Sequence, residues 1–80
     1  MSARITLYSR PGCHLCDDAR AVIEAVCSET GEAYEEVSIA GDPGLEERFG
    51  NEIPVTFVDG RQHDFWRVSA ERLRAALSGG

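Results

Sequence analysis

The chain has no lysine, no apolar run long enough to cross a membrane, and no excess of positive charge. Its 8 basic residues are all arginine and are outnumbered by 14 acidic residues, which leaves a formal net charge of -6. The absence of lysine excludes a Schiff base or a catalytic amine on that side chain. The acidic balance argues against nucleic acid and anionic membranes as partners, because both are bound through basic surfaces.

The start of the chain also lacks the parts of a signal peptide. Met1 to Tyr8 has no charged start, no long apolar segment and no small-residue cleavage site. Three cysteines are an odd number for a secreted disulfide framework, and thiols in a reducing compartment are more often catalytic or metal-binding. We therefore expect a cytoplasmic protein without a membrane attachment. At 80 residues it is expected to be a single domain and a monomer.

The apolar pattern alternates between the period of strands and the period of helices. The first half of the chain predicts a strand at 5–8, a helix at about 13–30, a strand at 33–39 and a short helix from Pro43 that stops before Gly50. The second half predicts strands at 53–58 and 62–66, joined by a turn at Asp59-Gly60, and a helix after the N-cap Ser69. The order is βαβαββα. A right-handed crossover makes the first two strands parallel, and the hairpin makes the last two antiparallel.

Two thiols lie at the start of the first predicted helix, in the sequence Cys13-His14-Leu15-Cys16. Such a pair is a redox dithiol, half of a metal site, or two unrelated core thiols. At about 100° per residue, the apolar sector of this helix includes Cys16, while Cys13 lies just outside it. We therefore expect Cys16 to be covered and Cys13 to be reachable from solvent.

The surroundings of Cys13 favour the redox interpretation. Free N–H groups and the positive end of the helix dipole favour a thiolate at the helix start, and Arg10 lies three residues upstream. Asp17 and Asp18 oppose this effect, so we expect it to be moderate. A disulfide between Cys13 and Cys16 closes a loop so short that its chain-entropy stabilisation is about 2 kcal/mol before strain. Such a disulfide adds little to the stability of the fold and is suited to reversible oxidation and reduction.

A metal site needs about four ligands in tetrahedral geometry. The additional candidates are Cys27, which lies more than three turns farther along the helix, and His14 and His63. Because His14 points away from the apolar sector, a structural zinc site within one chain is not expected. A cluster shared between two chains through Cys13 stays an alternative.

Four further residues are expected to be structural or merely polar. Cys27 falls on the apolar stripe and is predicted to be a small buried hydrophobe. Phe65 and Trp66 are predicted to fill the core and the sheet edge, as aromatic residues usually do. His63 is predicted to be an exposed polar residue.

Two motifs together resemble the glutaredoxin branch of the thioredoxin fold: the run from Tyr8 to Cys16, and Ile53-Pro54-Val55. The resemblance spans nearly the whole chain and makes residues 1–80 a single glutaredoxin-like domain. It implies an α/β, thioredoxin-like fold in which a four-stranded mixed sheet is flanked by helices. It also implies that Cys13 is the attacking thiolate and Cys16 the resolving thiol.

The resemblance further implies how a ligand is held. Arg10 meets a carboxylate of a thiol ligand. His14 is a candidate for the same site on a different ground: it adjoins Cys13 and, when protonated, favours the thiolate. The backbone of Ile53 pairs with a bound peptide or a glutathione-like ligand, beside a cis peptide bond at Pro54. The cis assignment comes from the family alone, because about 5% of such bonds are cis.

The chain departs from glutaredoxins in two places. It has His14-Leu15 where glutaredoxins usually have Pro-Tyr, which changes the redox potential and the wall of the ligand groove. It has residues 63–67 in place of a double glycine and an acidic residue, in the segment that holds the γ-glutamyl end of glutathione. The chain is therefore described as glutaredoxin-like.

These observations predict a thiol-disulfide oxidoreductase that acts on protein or small-molecule disulfides. No bound cofactor is expected, and electrons return from a reductase or from a small thiol such as glutathione. The alternative is a non-enzymatic binding protein whose thiols share a metal or iron–sulfur cluster or dock a partner.

Overall fold

The computed structural model describes residues 3–79 and has the expected element order βαβαββα. Its elements are β1 (Ile5–Ser9), α1 (His14–Thr30), β2 (Tyr34–Ser38), α2 (Pro43–Phe49), β3 (Val55–Val58), β4 (Arg61–Phe65) and α3 (Ala70–Gly79). The four strands form one mixed sheet in the order β2-β1-β3-β4. The predicted fold class is confirmed. Among residues 3–79, no helix is long and apolar enough to cross a membrane.

The pairing of the two central strands places the cysteine loop. β1 is parallel to β2 and antiparallel to β3, with Ile5 opposite Val58 and Tyr8 opposite Val55. The end of β1 therefore lies beside the start of β3. The loop that follows β1 carries Cys13, and the segment that precedes β3 carries Ile53 and Pro54, so both segments meet at the same end of the sheet.

Local signals in the sequence set the helix ends. Oδ1 of the N-cap Asp42 accepts a hydrogen bond from the amide of Leu45 at 3.1 Å, and Oγ of the N-cap Ser69 accepts one from the amide of Arg72 at 3.2 Å. These side chains satisfy amides that have no partner within the helix. Gly31 ends α1 in the left-handed conformation, at φ 76°, which glycine adopts without a steric penalty.

The core consists of two clusters on opposite faces of the sheet. The first lies under α1 and α3 and contains Ile5, Leu7, Ala19, Ile23, Val26, Val58, Leu73 and Leu77. The second lies on the α2 side and contains Cys16, Ile39, Phe49, Ile53 and Val55. Because strand side chains alternate between faces, Leu7 points into the first cluster and Tyr8 packs against the second. Cys16 reaches the second cluster from the first turn of α1.

Two aromatic side chains are not where the sequence placed them. Phe65 and Trp66 are 46% and 51% exposed, so the prediction that they fill the core is wrong. Phe65 does lie at the sheet edge, as the last residue of β4. The aromatic space on the α2 side is occupied instead by the stacked rings of Tyr8 and Phe49, whose centroids are 4.7 Å apart, and by Phe57. β4 is an edge strand, which leaves its last residues uncovered.

His63 is largely covered rather than exposed, so the prediction for it is wrong. Phe57 is opposite Gln62 and Thr56 is opposite Asp64, so His63 is an extra residue in β4 without a partner in β3. This bulge leaves the side chain of His63 only 16% exposed, with Nε2 3.9 Å from Oδ2 of Asp64.

Cys27 is close to its predicted role as a small buried hydrophobe. It is partly buried and packs against the first cluster from the last turns of α1. Its place on the apolar stripe of the helix follows from the same periodicity that buries Ile23 and Val26.

Leu73 is fully buried in the first cluster, so we expect Leu73→Ala to lower the free energy of unfolding by about 2–5 kcal/mol. The loss combines the transfer free energy of the side chain with the cavity left between α3 and the sheet. Urea denaturation followed by circular dichroism measures it. Glu71→Gln on the exposed face of the same helix is the control, expected to change stability by less than about 0.5 kcal/mol. A similar loss in both variants would contradict the packing described for α3.

Candidate functional site

The two cysteines of the motif sit in different environments although they are one helical turn apart. Cys13 is the N-cap of α1 and is partly exposed, whereas Cys16 is 1% exposed. Sγ of Cys13 accepts a hydrogen bond from the amide of Cys16 at 3.1 Å. That amide belongs to the first turn, where backbone donors lack helical partners. The exposures agree with those expected from the helical periodicity, and both thiols are free.

The pKa of the Cys16 thiol is raised to about 12, and burial is the largest cause. A hydrogen bond with the Cys13 side chain and the charge on Cys13 contribute in the same direction. A backbone hydrogen bond at Arg10 and the positive charge of Arg20 oppose these effects. Cys16 is therefore protonated at neutral pH. Two causes of the raised pKa depend on Cys13, so they are removed when Cys13 forms a bond to another sulfur.

The segment before β3 forms the opposite side of the site. The Ile53–Pro54 peptide bond is cis, as the resemblance implied. The amide of Trp66 donates to the carbonyl oxygens of Pro54 at 2.8 Å and Glu52 at 3.2 Å, and the amide of Glu52 donates to Phe49 at 2.8 Å. Within the stretch from residue 3 to residue 79, neither the amide nor the carbonyl of Ile53 pairs with another backbone group. Glu52 and Pro54 are thus held by hydrogen bonds, whereas the backbone amide and carbonyl of Ile53 between them make none within that stretch.

Arg10 and His14 are exposed residues on either side of Cys13. Nη2 of Arg10 lies beside Gly50, 3.6 Å from where a Cβ at that position would be. Gly50 is the C-cap of α2, and the negative end of a helix dipole favours a nearby guanidinium. The structure therefore brings Cys13, Cys16, Ile53 and Pro54 together, with Arg10 directed toward the end of α2.

A polar cluster that the sequence did not reveal holds the first turns of α1 against the sheet. Arg20 donates to both carboxylate oxygens of Glu36 at 2.7 Å and to Asp17 at 2.8 Å. The hydroxyl of Ser9, at the buried end of β1, donates to the same Glu36 at 2.6 Å. Arg20 holds the pKa of the Glu36 carboxyl below its usual range. The helix that carries the dithiol is thereby tied to the end of β1 and to the middle of β2.

One surface groove includes a residue of the dithiol motif in its lining, and another lies far from the thiols. The first, of about 190 Å³, is lined by Leu15, Asp18, Ala19, Val22, Trp66, Arg67 and Val68, without either cysteine. The larger one, of about 600 Å³, is lined by Val58, Asp59, Arg61, Gln62, His63, Ala75 and Ala76. Val58 is opposite Ile5, at the end of β1 farthest from the cysteine loop. The larger groove is therefore remote from the thiols.

The described part of the chain brings together no group of three or more histidine, cysteine, aspartate or glutamate side chains that could hold a metal ion. Cys27 lies near the other end of α1, where burial raises the pKa of its thiol.

Residues 4–78 match the family model described as Glutaredoxin-like domain (DUF836). The chain belongs to this family. A relative of this glutaredoxin-like domain is Uncharacterized protein Rv0508 of Mycobacterium tuberculosis H37Rv, which is 32% identical over 94% of this chain and 82% of the relative. Protein XcR50 from X. campestris, for which there is an X-ray structure, is 38% identical in sequence to this chain. The structural match covers 95% of this chain and 97% of that one, with a TM-score of 0.80.

More distant structures share the fold alone. Oxidized glutaredoxin 2 from Chlamydomonas reinhardtii is 19% identical over 98% of this chain and 74% of that one, with a TM-score of 0.59. A mutant of the thioredoxin-like protein BC3987 is 21% identical over 94% of this chain and 95% of that one, with a TM-score of 0.61. A glutaredoxin-like domain with two neighbouring cysteines supports a redox-type function in broad terms.

The raised pKa of Cys16 can be tested by following thiolate absorbance in the ultraviolet. In a Cys27→Ser background, we expect the Cys16 thiolate to form well above the usual thiol value of about 8.5. Adding Cys13→Ala should shift its formation to lower pH, because the hydrogen bond and charge from Cys13 are lost while burial is kept. Circular dichroism at each pH shows that the protein is still folded. A Cys16 pKa near the usual value in both proteins would contradict control by burial.

The contribution of Arg20 to stability should depend on pH. At about pH 7, Arg20→Gln is expected to lower the free energy of unfolding by about 1 kcal/mol, allowing for solvent screening of the partly exposed pair. The pair stabilises the fold above the ordinary pKa of glutamate, and this contribution is lost as the pH falls through the lowered pKa of Glu36. The difference from the native protein should therefore shrink at about pH 3, as measured by urea denaturation.

Arg74→Gln provides a matched control for Arg20→Gln. Its ion pair with Glu29 is 46% and 50% exposed at the two side chains and lies away from the dithiol. We expect a smaller loss of stability from this variant than from Arg20→Gln. Equal losses, or a loss for Arg20→Gln that does not change with pH, would contradict the role given to the polar cluster.

Proposed function

We propose that this protein is a thiol-disulfide oxidoreductase that reduces disulfides of proteins or small molecules. The observation that carries the proposal is the unequal pair at the start of α1. Cys13 is partly exposed and accepts an amide hydrogen bond at its sulfur, and Cys16 is buried one turn away. An accessible thiol attacks disulfides through its thiolate form, and a shielded neighbour resolves the product.

In the first step, the thiolate of Cys13 attacks one sulfur of the substrate disulfide. The new bond is a mixed disulfide between Cys13 and the substrate, and the other substrate sulfur leaves as a thiolate that takes up a proton. The helix-start amides stabilise the sulfur of Cys13 before attack. This step needs Cys13 to be exposed and leaves Cys16 protonated.

In the second step, Cys16 loses its proton to solvent and attacks Sγ of Cys13. The mixed disulfide breaks, the second substrate sulfur leaves as a thiolate and is protonated, and a Cys13–Cys16 disulfide forms. Substrate gains two electrons and two protons in total, and the dithiol is oxidised by the same amount. Because the mixed disulfide removes the influence of Cys13 on the Cys16 thiol, the pKa of Cys16 falls when its thiolate is required.

Substrate is held by the residues around Cys13. The free amide and carbonyl of Ile53 pair with the backbone of a bound peptide or a glutathione-like thiol, next to Pro54. Arg10 meets a carboxylate of such a ligand, and His14 contacts it beside the attacking sulfur. The exposure of Arg10 and His14 and the unpaired backbone groups of Ile53 support these assignments.

The reaction needs an electron donor and takes place in a defined compartment. Electrons return to the oxidised dithiol from a reductase or a small thiol such as glutathione, without a bound cofactor. The protein works as a cytoplasmic monomer, away from membranes and nucleic acid. Its acidic net charge of -6 supports the last point.

Serine substitutions of the two cysteines test the proposal. In an assay of small-disulfide or insulin reduction, Cys13→Ser should lose activity because no attacking sulfur is left. Cys16→Ser should accumulate mixed disulfides with substrate, detectable as a mass increase that is removed by dithiothreitol. Cys27→Ser is the matched control and should retain activity, because it lies at the far end of α1.

Two results would contradict the proposal. The first is a native protein that reduces no disulfide with any of several thiol or reductase donors. The second is visible absorbance or bound metal after anaerobic purification, which would favour the alternative of a binding protein that shares a cluster through its thiols.

A further inference from the structure

A small groove opens between the first turns of α1 and the segment that joins β4 to α3. Five of its seven lining residues are apolar: Leu15, Ala19, Val22, Trp66 and Val68. Neither cysteine lines it, but the backbone amide of Trp66 donates to the carbonyl oxygen of Pro54 at 2.8 Å, and Cys13 packs against the cluster that contains Ile53. The groove therefore lies at the same end of the sheet as the dithiol.

The indole of Trp66 is exposed but held in place. Its backbone amide donates to Pro54 and Glu52, and its Nε1 donates to the carbonyl oxygen of Asn51 at 2.9 Å. The ring also meets the edge of Phe65, with centroids 5.0 Å apart. A fixed aromatic ring loses little conformational entropy when a partner binds, which makes it a favourable contact surface.

The backbone of Trp66 is unusual as well. Its φ of 63° lies in the left-handed region, which bulky residues rarely adopt and glycine adopts freely. Folding alone is thus served better by glycine at this position. Residues held in such conformations cluster at binding sites and active sites.

The size of the groove and the charge around it define an occupant. A volume of about 190 Å³ is below the range of about 300 Å³ and more that is usual for small-molecule sites, so it suits a single side chain. The walls favour an apolar one. The net charge of -6 and the carboxylate of Asp18 in the wall favour a basic residue next to it, while Arg67 opposes this preference.

We propose that this groove binds an apolar side chain of a polypeptide substrate, close in sequence to the disulfide cysteine and next to a basic residue. The inference rests on the proposed function and names the substrate class for the same dithiol. Glutathione, built from glutamate, cysteine and glycine, has no side chain that fills the groove. Trp66 is then the residue that determines substrate specificity.

Two peptide disulfides test this proposal with the full-length protein. Each has one cysteine in a mixed disulfide with a chromogenic thiol and an arginine nearby, and they differ only in having leucine or serine two residues from the cysteine. We expect kcat/KM to be about tenfold higher for the leucine peptide, as is typical of a buried contact with one anchor residue. The difference should lie mainly in KM, because the groove contacts substrate and transition state alike.

Variants at Trp66 assign this preference to the groove. In Trp66→Gly, which removes the indole and suits the positive φ, the ratio of kcat/KM for the two peptides should fall to about one. Trp66→Phe keeps a ring but loses the hydrogen bond to Asn51, so an intermediate ratio is expected. Arg61→Gln, at the far end of β4, is the control and should keep the native ratio. A ratio of one in the native protein, or a native ratio in Trp66→Gly, overturns the proposal.

The charge preference gives an independent check with peptides that carry arginine or glutamate beside the leucine. Asp18→Asn should lower the preference for arginine and Arg67→Gln should raise it; the reverse pattern overturns the assignment. The outcomes also separate the two proposals. Equal rates for all peptides overturn only the groove, whereas failure to reduce any peptide or small disulfide overturns the oxidoreductase function.

Discussion

The packing of Cys16 into the core on the α2 side is the constraint on which the site depends. Its thiol shares a cluster with Ile53 and Val55, so the first turn of α1 is held against the start of β3. The same burial raises the pKa of Cys16 and leaves Cys13 as the accessible sulfur. One packing contact thus fixes the position of the dithiol, separates the environments of its two thiols and brings Ile53 next to them.

Most of the fold follows from signals that are local in the sequence. Helix ends depend on residues within three or four positions, as at Asp42 and Ser69, and the hairpin depends on Asp59 and Gly60, which both have positive φ. Periodicity within α1 also separates a covered Cys16 from a reachable neighbour. These features could be predicted because each is set by a few adjacent residues, and connection rules then give the parallel pair β1–β2 and the antiparallel pair β3–β4. The antiparallel pairing of β1 with β3 joins strands that are distant in the sequence and was not predicted.

What could not be predicted depends on contacts between distant parts of the chain. The partner of Arg20 is Glu36 on β2, and nothing near either residue in the sequence indicates the other. The bulge that covers His63 appears only when β4 is aligned with β3. Trp66 is a large aromatic residue of the kind that usually lies in a core, but the aromatic space in the core is already taken, and Trp66 follows the edge strand β4. Sequence propensities indicate the surroundings that a residue type usually has, whereas the surroundings of these residues are decided by contacts with distant parts of the chain.

The unequal exposure of the two sulfurs also limits how the proposed reaction can run backward. An incoming thiol can reach Cys13 in the oxidised pair, while the buried Cys16 is shielded from it. Reduction of a substrate and regeneration of the dithiol then both proceed at Cys13, through a mixed disulfide on its sulfur. The forward and reverse reactions thus use the same path, and the net direction of electron flow is set by the concentrations and reduction potentials of the substrate and donor thiols.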